Sequence, residues 1–549
     1  MNIPSPHGPC GMPEGAHGRQ VSGEVRSLMF TTTIHSCSTN RKTKLQTAQI
    51  RWMLCALVAL AFAGAAAAEP VVDSWVRLAG AKYARIYKTW AAATNGVSST
   101  TWTNTEIPVP PGRSSGTQAQ PVYGGVLSIR VSSNYVYITS SALPTYVMGP
   151  WYLNAAKTQP FPNWPMNQDM LTRIARTPPG PGVNKTPTSL GATALWVDGG
   201  IVHNQLDAFY YNGSYDTNAV SVFTQSWQRN ANLAEGLTWD PTGSHQPFTG
   251  ERHHHINPTA LRYQLGDHIT YNPTNLTYTE DPRQTNHSPI LGWAFDGYPI
   301  YGPYGYSDPT NMNSVVRRMI TGYVPRDGNF GTTNLYVTGR TSYPQWALDI
   351  GKPNAVNGPN VSVNYPMGWY VQDFDHLADH GYTQTTGATV GDFDLDRYNG
   401  RFCRTPDFPD GTYAYFITIE ANGTPVFPYI IGLQYYGQRT SGDYGAPATL
   451  NFTSVETPNV TNYLGGAEAT STLDSPQLAG GTVTLTWSAI EGGHYNVEIS
   501  TNLTSWAANK TNVLARSNAT TTNLTSTADN AYFRAVRTSL NAYDPVITP

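Results

Sequence analysis

Six histidines fall within 43 residues of this chain: His245, His253, His254, His255, His268 and His287. In the run Glu251-Arg-His-His-His-Ile-Asn-Pro, an extended backbone sends His253 and His255 to one face, about 6–7 Å apart, and His254 to the other. Two neutral imidazoles at that spacing can share one metal ion. A third ligand has to come from elsewhere in the chain, and His245 and His287 are the nearest candidates in sequence. Such a cluster suits zinc, copper, iron or nickel, and zinc or copper is the cofactor expected here. Ligation needs the neutral ring, so affinity is expected to fall as the pH drops below about 6.5. The competing reading is a hydrogen-bonded network, or a surface run that meets metal only incidentally. Asp296, in Asp-Gly-Tyr-Pro, is the best acid partner. It would ligate metal, orient a histidine as an outer acceptor, or cap a turn.

Two weaker patterns stand beside this cluster. Asp392, Asp394 and Asp396 alternate as in the opening of a calcium loop. Arg397 then replaces the turn glycine, and Cys403 stands where a bidentate Glu belongs. Calcium at these three residues therefore competes with a plain solvated acidic loop, which is the favoured reading. His376-Leu-Ala-Asp-His380 has i,i+4 spacing but lacks the Glu of a zinc-protease helix. No nucleophile elbow, phosphate loop, dinucleotide fingerprint or haem motif is present.

The elements that must hold these residues are strands. Gly, Pro, Tyr, Asn and Thr are abundant and only 13% of residues are charged, a mix that suits short strands joined by turns. The run from Val126 to Thr139 reads as a hairpin around Ser-Ser-Asn. Ala194 to Val202 reads as another around Gly199-Gly200. Helical spacing shows only over Thr217–Leu233 and Ser314–Ile320. The fold class is therefore mainly β: a large β domain over 69–463 (core about 120–440), then a small C-terminal β-sandwich over 464–549. In the latter, Thr482-Val-Thr-Leu-Thr-Trp, Tyr495-Asn-Val-Glu-Ile-Ser and Ala531-Tyr-Phe-Arg-Ala-Val alternate with period two. Their order resembles a fibronectin type III-like sandwich, with Trp487 and Tyr532 as core aromatics. His494 reads as a surface residue at a strand start.

The first 68 residues read as a leader. Arg41, Lys42, Lys44 and Arg51 precede the apolar run from Met53, and Ala65–Ala68 then meets Glu69-Pro70. This is the order of a secretory signal peptide cleaved after Ala68, and about 16 apolar residues are too few to span a bilayer. Residues 1–40 show no periodicity and read as an overlong gene start. The mature chain is expected to be secreted, periplasmic or extracellular, with no membrane span. It keeps only Cys403 of four cysteines, so it has no internal disulfide, and a buried Cys403 would serve packing. Residues 1–68 hold six basic and two acidic residues. The remainder therefore has 27 Lys/Arg against 34 Asp/Glu, a net of −7, which argues against nucleic acid as a partner.

Three ordered blocks carry a resemblance to a known family. Phe248 to Asp267, with His-His-His-Ile-Asn-Pro and Leu-Gly-Asp, is similar to the region that names the YHYH family. His287-Ser-Pro and Gly292-Trp-Ala-Phe-Asp-Gly-Tyr-Pro-Ile-Tyr-Gly resemble its second signature. Asp394 to Phe416, followed by Phe427-Pro-Tyr-Ile-Ile-Gly, resembles a third. The name-giving motif departs from the family: Arg252 and His254 stand at the tyrosine positions, while His253 and His255 keep the histidines. The resemblance implies a secreted domain of unsettled function. The leading expectation is a metal-binding domain, an enzyme if the ion keeps open positions. Its rival is a non-catalytic extracellular interaction protein presenting Tyr and Trp surfaces to an unidentified ligand.

Overall fold

The structure is a computed structural model that describes residues 69–75, 78, 82–106, 116–182, 185–218, 227–351, 356–384, 392–439, 461–464, 470–471, 476–479, 482–488, 494–514, 519–525 and 531–537. The expected leader, its expected cleavage after Ala68 and Cys10, Cys37 and Cys55 lie outside these residues.

A seven-stranded mixed sheet organises the larger domain. In chain order its strands are β1 (Ala192–Trp196), β2 (Ile201–His203), β3 (His253–His254), β4 (Ile290–Ala294), β5 (Pro299–Tyr301), β6 (Gly400–Cys403) and β7 (Thr412–Phe416). They lie side by side as β3-β2-β1-β4-β5-β7-β6. β1 and β2 form the hairpin expected around the Gly-Gly turn, and β4 pairs antiparallel with β1. β4 is buried at all five positions, so its Ile-Leu-Gly-Trp-Ala run does not alternate. The second hairpin, Val126–Val131 with Tyr135–Ser140, belongs to a four-stranded sheet with Met170–Ala175 and Thr461–Leu464. The two sheets meet where Ser140 Oγ donates to the Gly199 carbonyl at 3.0 Å. Gly199 has φ +79°, and a Cβ there would lie 2.7 Å from that of Ser140, so the turn needs glycine twice over.

Both helical expectations give way to strands in part, and residues 219–226 of the first lie outside the described residues. Asp216–Asn218 and Trp227–Asn230 are strands that flank Leu206–Tyr211, and only Ala231–Glu235 is helical. Val316–Arg318 likewise pairs with Tyr304–Tyr306. Backbone pairing to a ready neighbour overrides loose 3.6-residue spacing in segments this short. Among the described residues no helix is long and apolar enough to cross a membrane.

In the C-terminal part, Gln477–Ala479, Thr482–Ser488 and Ala519–Thr525 form one sheet. Thr470–Ser471, Tyr532–Arg537, His494–Ser500 and Ala507–Leu514 form another. Val483, Leu485, Trp487 and Leu524 from the first share a core with Tyr495, Val497 and Ala535 from the second. Tyr532 is not in it. It is 44% exposed, because the alternation of its strand turns Phe533 and Ala535 toward the core. The side chain of His494 lies outside the described residues.

Candidate metal centre

Two extended segments bring three imidazoles to one place. His253 and His245 are direct cross-strand partners: His253 N–H donates to the His245 carbonyl at 2.9 Å and His245 N–H to that of His253 at 3.3 Å. Such pairs project their side chains to the same face. The period of two then adds His255. The Nε2 of His253 lies 3.1 Å from that of His245 and 3.0 Å from that of His255. All three rings are buried.

Their outer nitrogens decide the protonation. His253 Nδ1 faces the Glu251 carbonyl at 2.9 Å, and His255 Nδ1 faces the Asn204 carbonyl. A carbonyl only accepts, so both Nδ1 atoms carry the proton. His245 Nδ1 is 2.7 Å from Thr238 Oγ1, which itself donates to the Glu235 carbonyl at 2.7 Å and so must accept from His245. Every neutral ring therefore turns a bare Nε2 lone pair inward, with no proton between them. The His253 lone pair, at 3.1 and 3.0 Å from the other two, is repelled by both unless a cation sits among them. Tetrahedral ligation with bonds of roughly 2.0–2.1 Å puts neighbouring nitrogens about 3.3 Å apart. The observed spacing is within a few tenths of an ångström of that.

A fourth donor comes from the short helix Ala231–Glu235, held at its start by the Asn230 cap. Glu235 Oε2 lies 3.6 Å from His245 Nε2 and 3.5 Å from His255 Nε2, and has no hydrogen-bond partner. These distances would suit ion pairs, but the protonation states argue otherwise. Burial, and then the nearby His203, lowers His245 to about 3; burial first also holds His253 and His255 well below the ordinary range. Burial, then Asp207, raises Glu235 well above the carboxylate range against the opposing pull of Arg229. Without metal the three imidazoles are thus held in their neutral form, and burial favours the protonated form of Glu235. A quarter of the Glu235 side chain is exposed, but the Oε2 that faces the imidazoles is buried.

His203 also stands within reach of His253 and His255, yet it does not fit as a co-ligand. Its ring stacks on His253 with centroids 3.7 Å apart and planes 10° apart. Lone pairs lie in the ring plane, and an ion shared by these rings would sit about 1.9 Å out of each, nearly a whole bond of roughly 2.0–2.1 Å. His203 Nε2 pairs instead with Glu251 Oε1 at 2.8 Å. The set that fits is His245, His253, His255 and Glu235.

Arg252 and His254 occupy the other face. Arg252 is fully buried and donates to Thr242 Oγ1 and the Tyr146 hydroxyl, while Trp196 Nε1–H donates to His254 Nδ1 at 3.2 Å. Both positions that depart from the name-giving motif therefore point away from the imidazoles. Replacing His254 with alanine should cost about 1–3 kcal/mol by stranding the buried Trp196 N–H. The three facing imidazoles should keep their arrangement. Urea unfolding together with elemental analysis of the same variant reads both effects.

The remaining sequence candidates stand elsewhere. His287 is in neither group of converging ligand atoms. It lies against Tyr301 of β5, Tyr306 and Phe416 of β7, four and five strands from β3 in the sheet order, with Nδ1 on the Ser288 carbonyl at 2.7 Å. Of the two sequence candidates for a third ligand, the structure thus brings His245, and not His287, beside His253 and His255, and it adds Glu235. His287 borders a second polar centre, in which Asp267 Oδ1 accepts from Ser288 Oγ at 2.6 Å and His268 Nδ1 at 2.9 Å. Asp267 Oδ2 accepts from Arg262 Nε at 2.7 Å. A Cβ on Gly302 would lie 2.2 Å from Asp267 Oδ2, which only glycine avoids.

Asp296 accepts from the Tyr415 hydroxyl at 2.6 Å and from Gly437 N–H at 2.8 Å, and burial raises it to about 6. It serves that strand–loop junction, away from the histidines. Arg317 grips Asp394 through two bonds of 2.6 and 2.8 Å. Asp396 accepts from the Tyr413 hydroxyl and the Tyr398 and Gly400 amides. Protein donors thus fill the places that calcium would need at these two residues. Cys403 is buried, and burial pushes its thiol up. Sequence reasoning missed Glu235 and His203. The one signal for Glu235 was Asn230-Ala-Asn-Leu-Ala-Glu, a capped turn of helix that runs two residues past the end of Thr217–Leu233.

A family model described as YHYH protein matches residues 172–427, a little under half of the chain. The match contains the four converging residues and the Asp267 centre. No curated protein and no solved structure matches the chain.

Proposed function

We propose that this chain is an exported protein whose YHYH region binds one transition-metal ion through His245, His253, His255 and Glu235. The observation that supports it is the convergence of three imidazole Nε2 lone pairs, each fixed by an Nδ1–H bond to an acceptor, beside an unpartnered carboxylate. Three imidazoles with one carboxylate suit zinc, copper, iron or nickel. Elemental analysis of the purified full chain, before and after chelation, tests the reading. One ion per chain is expected, and a protein that stays metal-free in the presence of each of these ions would sink it.

Such an ion would polarise a carbonyl or activate water. In that role the chain's own residues hold the ion, with the Thr238, Asn204 and Glu251 acceptors fixing the rings.

The pH dependence follows from the shifts. The imidazoles stay neutral well below pH 6.5 in the folded chain, so the loss of affinity expected near 6.5 moves to lower pH. The raised Glu235 must give up its proton to ligate, so affinity should climb with pH above the ordinary carboxylate range, and binding should release about one proton. In Glu235→Gln both effects should vanish, as read by titration calorimetry in buffers of different ionisation heat. Stability of the metal-free fold runs the same way. The unfolded histidines protonate at about 6.5 and the buried ones resist, so stability should fall from pH 6.5 downward.

Export rests on the leader. N-terminal sequencing of the exported chain should start at or next to Glu69, and an intact Met1 on soluble cytoplasmic protein would refute it.

A further inference from the structure

A cleft of about 290 Å³ opens beside the histidine centre. Gly236, which follows the ligand Glu235, lies in its wall, as does Trp239, whose ring meets that of His245 edge-on at 6.5 Å. Trp90, Tyr152 and Leu237 complete an apolar, ring-rich lining. Two donors in this lining lack acceptors. The Lys157 ammonium sits 2.8 Å from the Trp90 ring centroid, and among the described residues no carboxylate pairs with it. Burial alone lowers its pKa, with no anion countering. The Trp239 indole N–H likewise finds no acceptor.

The side-chain acceptors of Asp240 and Asn154 in the cleft are already occupied. Asp240 Oδ2 takes the Gly149 amide, and its Oδ1 takes the amides and hydroxyls of Thr242 and Ser244. Asn154 turns its amide to Thr158 and its carbonyl to the Thr158 and Gln159 amides. A saccharide would bring several hydroxyls that need partners here and lose them on burial. A flat ring needs only the aromatic walls, and a carboxylate supplies the anion that Lys157 lacks.

We infer that this cleft binds a small aromatic carboxylate, its ring against Trp90, Tyr152 and Trp239 and its carboxylate on Lys157. The volume suits one substituted ring. That this ligand is the substrate of the neighbouring ion rests on the metal-centre reading above; that the cleft binds it does not.

Calorimetric titration of the full chain with 4-hydroxybenzoate, and separately with glucuronate, tests the assignment, with metal content measured on the same sample. One 4-hydroxybenzoate per chain is expected, with glucuronate at least about tenfold weaker. Lys157→Met, at an exposed position that leaves the fold intact, should weaken the aromatic acid by about tenfold. Absence of binding, equal binding of glucuronate, or an unchanged affinity in Lys157→Met overturns the proposal. A metal-loaded protein that ignores the acid overturns the cleft alone. A protein that binds the acid but takes no metal overturns the metal centre alone.

Discussion

Alanine at His253 should abolish stoichiometric metal. This imidazole is the middle one of the three, with Nε2 at 3.1 Å from His245 and 3.0 Å from His255, and its loss separates the other two. His255→Ala should do the same, since His255 contacts both His253 and Glu235. His203→Ala should differ in kind. Its ring only backs His253, and outer partners of this sort typically cost about 10–100-fold in affinity while the stoichiometry survives. Elemental analysis at saturating metal, with affinity measured by competition against a chelator, separates the two outcomes. Full occupancy in His253→Ala would refute the arrangement.

Asp267→Ala should be among the most destabilising single changes in the larger domain, at about 3–5 kcal/mol. Arg262 is fully buried, and its Nε would lose its partner, although Glu280 would still hold the other end of the guanidinium at 2.6 and 2.9 Å. Ser288 and His268 would lose their shared acceptor in the same stroke. Burial alone would raise the Asp267 carboxyl, but Arg262 and the donors from His268 and Ser288 reverse this and hold it below the usual range. The carboxylate is therefore charged in the fold. Its stabilising contribution should be present above the ordinary carboxylate value and fade as the pH falls through its lowered one. Urea denaturation of Asp267→Ala and Asp267→Asn measures the effect. A loss under about 1 kcal/mol in the alanine variant would show that the centre contributes little.

The mainly β architecture was legible because period-two runs and Gly-Gly or Ser-Ser-Asn turns are local signals. So was the opposite facing of His253 and His254, which follows from pleating alone. The antiparallel partnership of His245 with His253 was not. Nothing in the residues between them fixes the register that a bridge imposes. Glu235 escaped because a one-turn helix is held by its cap and its packing, and leaves almost no periodicity to read. His287 was a candidate only because it is near in sequence, but the fold carries it to β5 and β7, where the neighbouring Ser288 bonds Asp267. Tyr532 misled in a smaller way: the strand was read correctly, but its inward face was assigned one residue out of step.

The four converging residues all lie between Glu235 and His255, and this has a kinetic consequence. Bringing successive donors together closes loops of only ten, eight and two residues, and closure entropy grows as about (3/2)RT ln n, so assembly of the site is entropically cheap. The sheet around it, by contrast, waits for β6 and β7 near residue 400 and beyond. On the proposed export route, an emerging unfolded chain would present this segment long before its last sheet partners arrive. An ion taken up at that stage would act as a local clamp on the growing fold. Once the domain has closed, release of such an ion would require only the opening of this 21-residue stretch and not global unfolding.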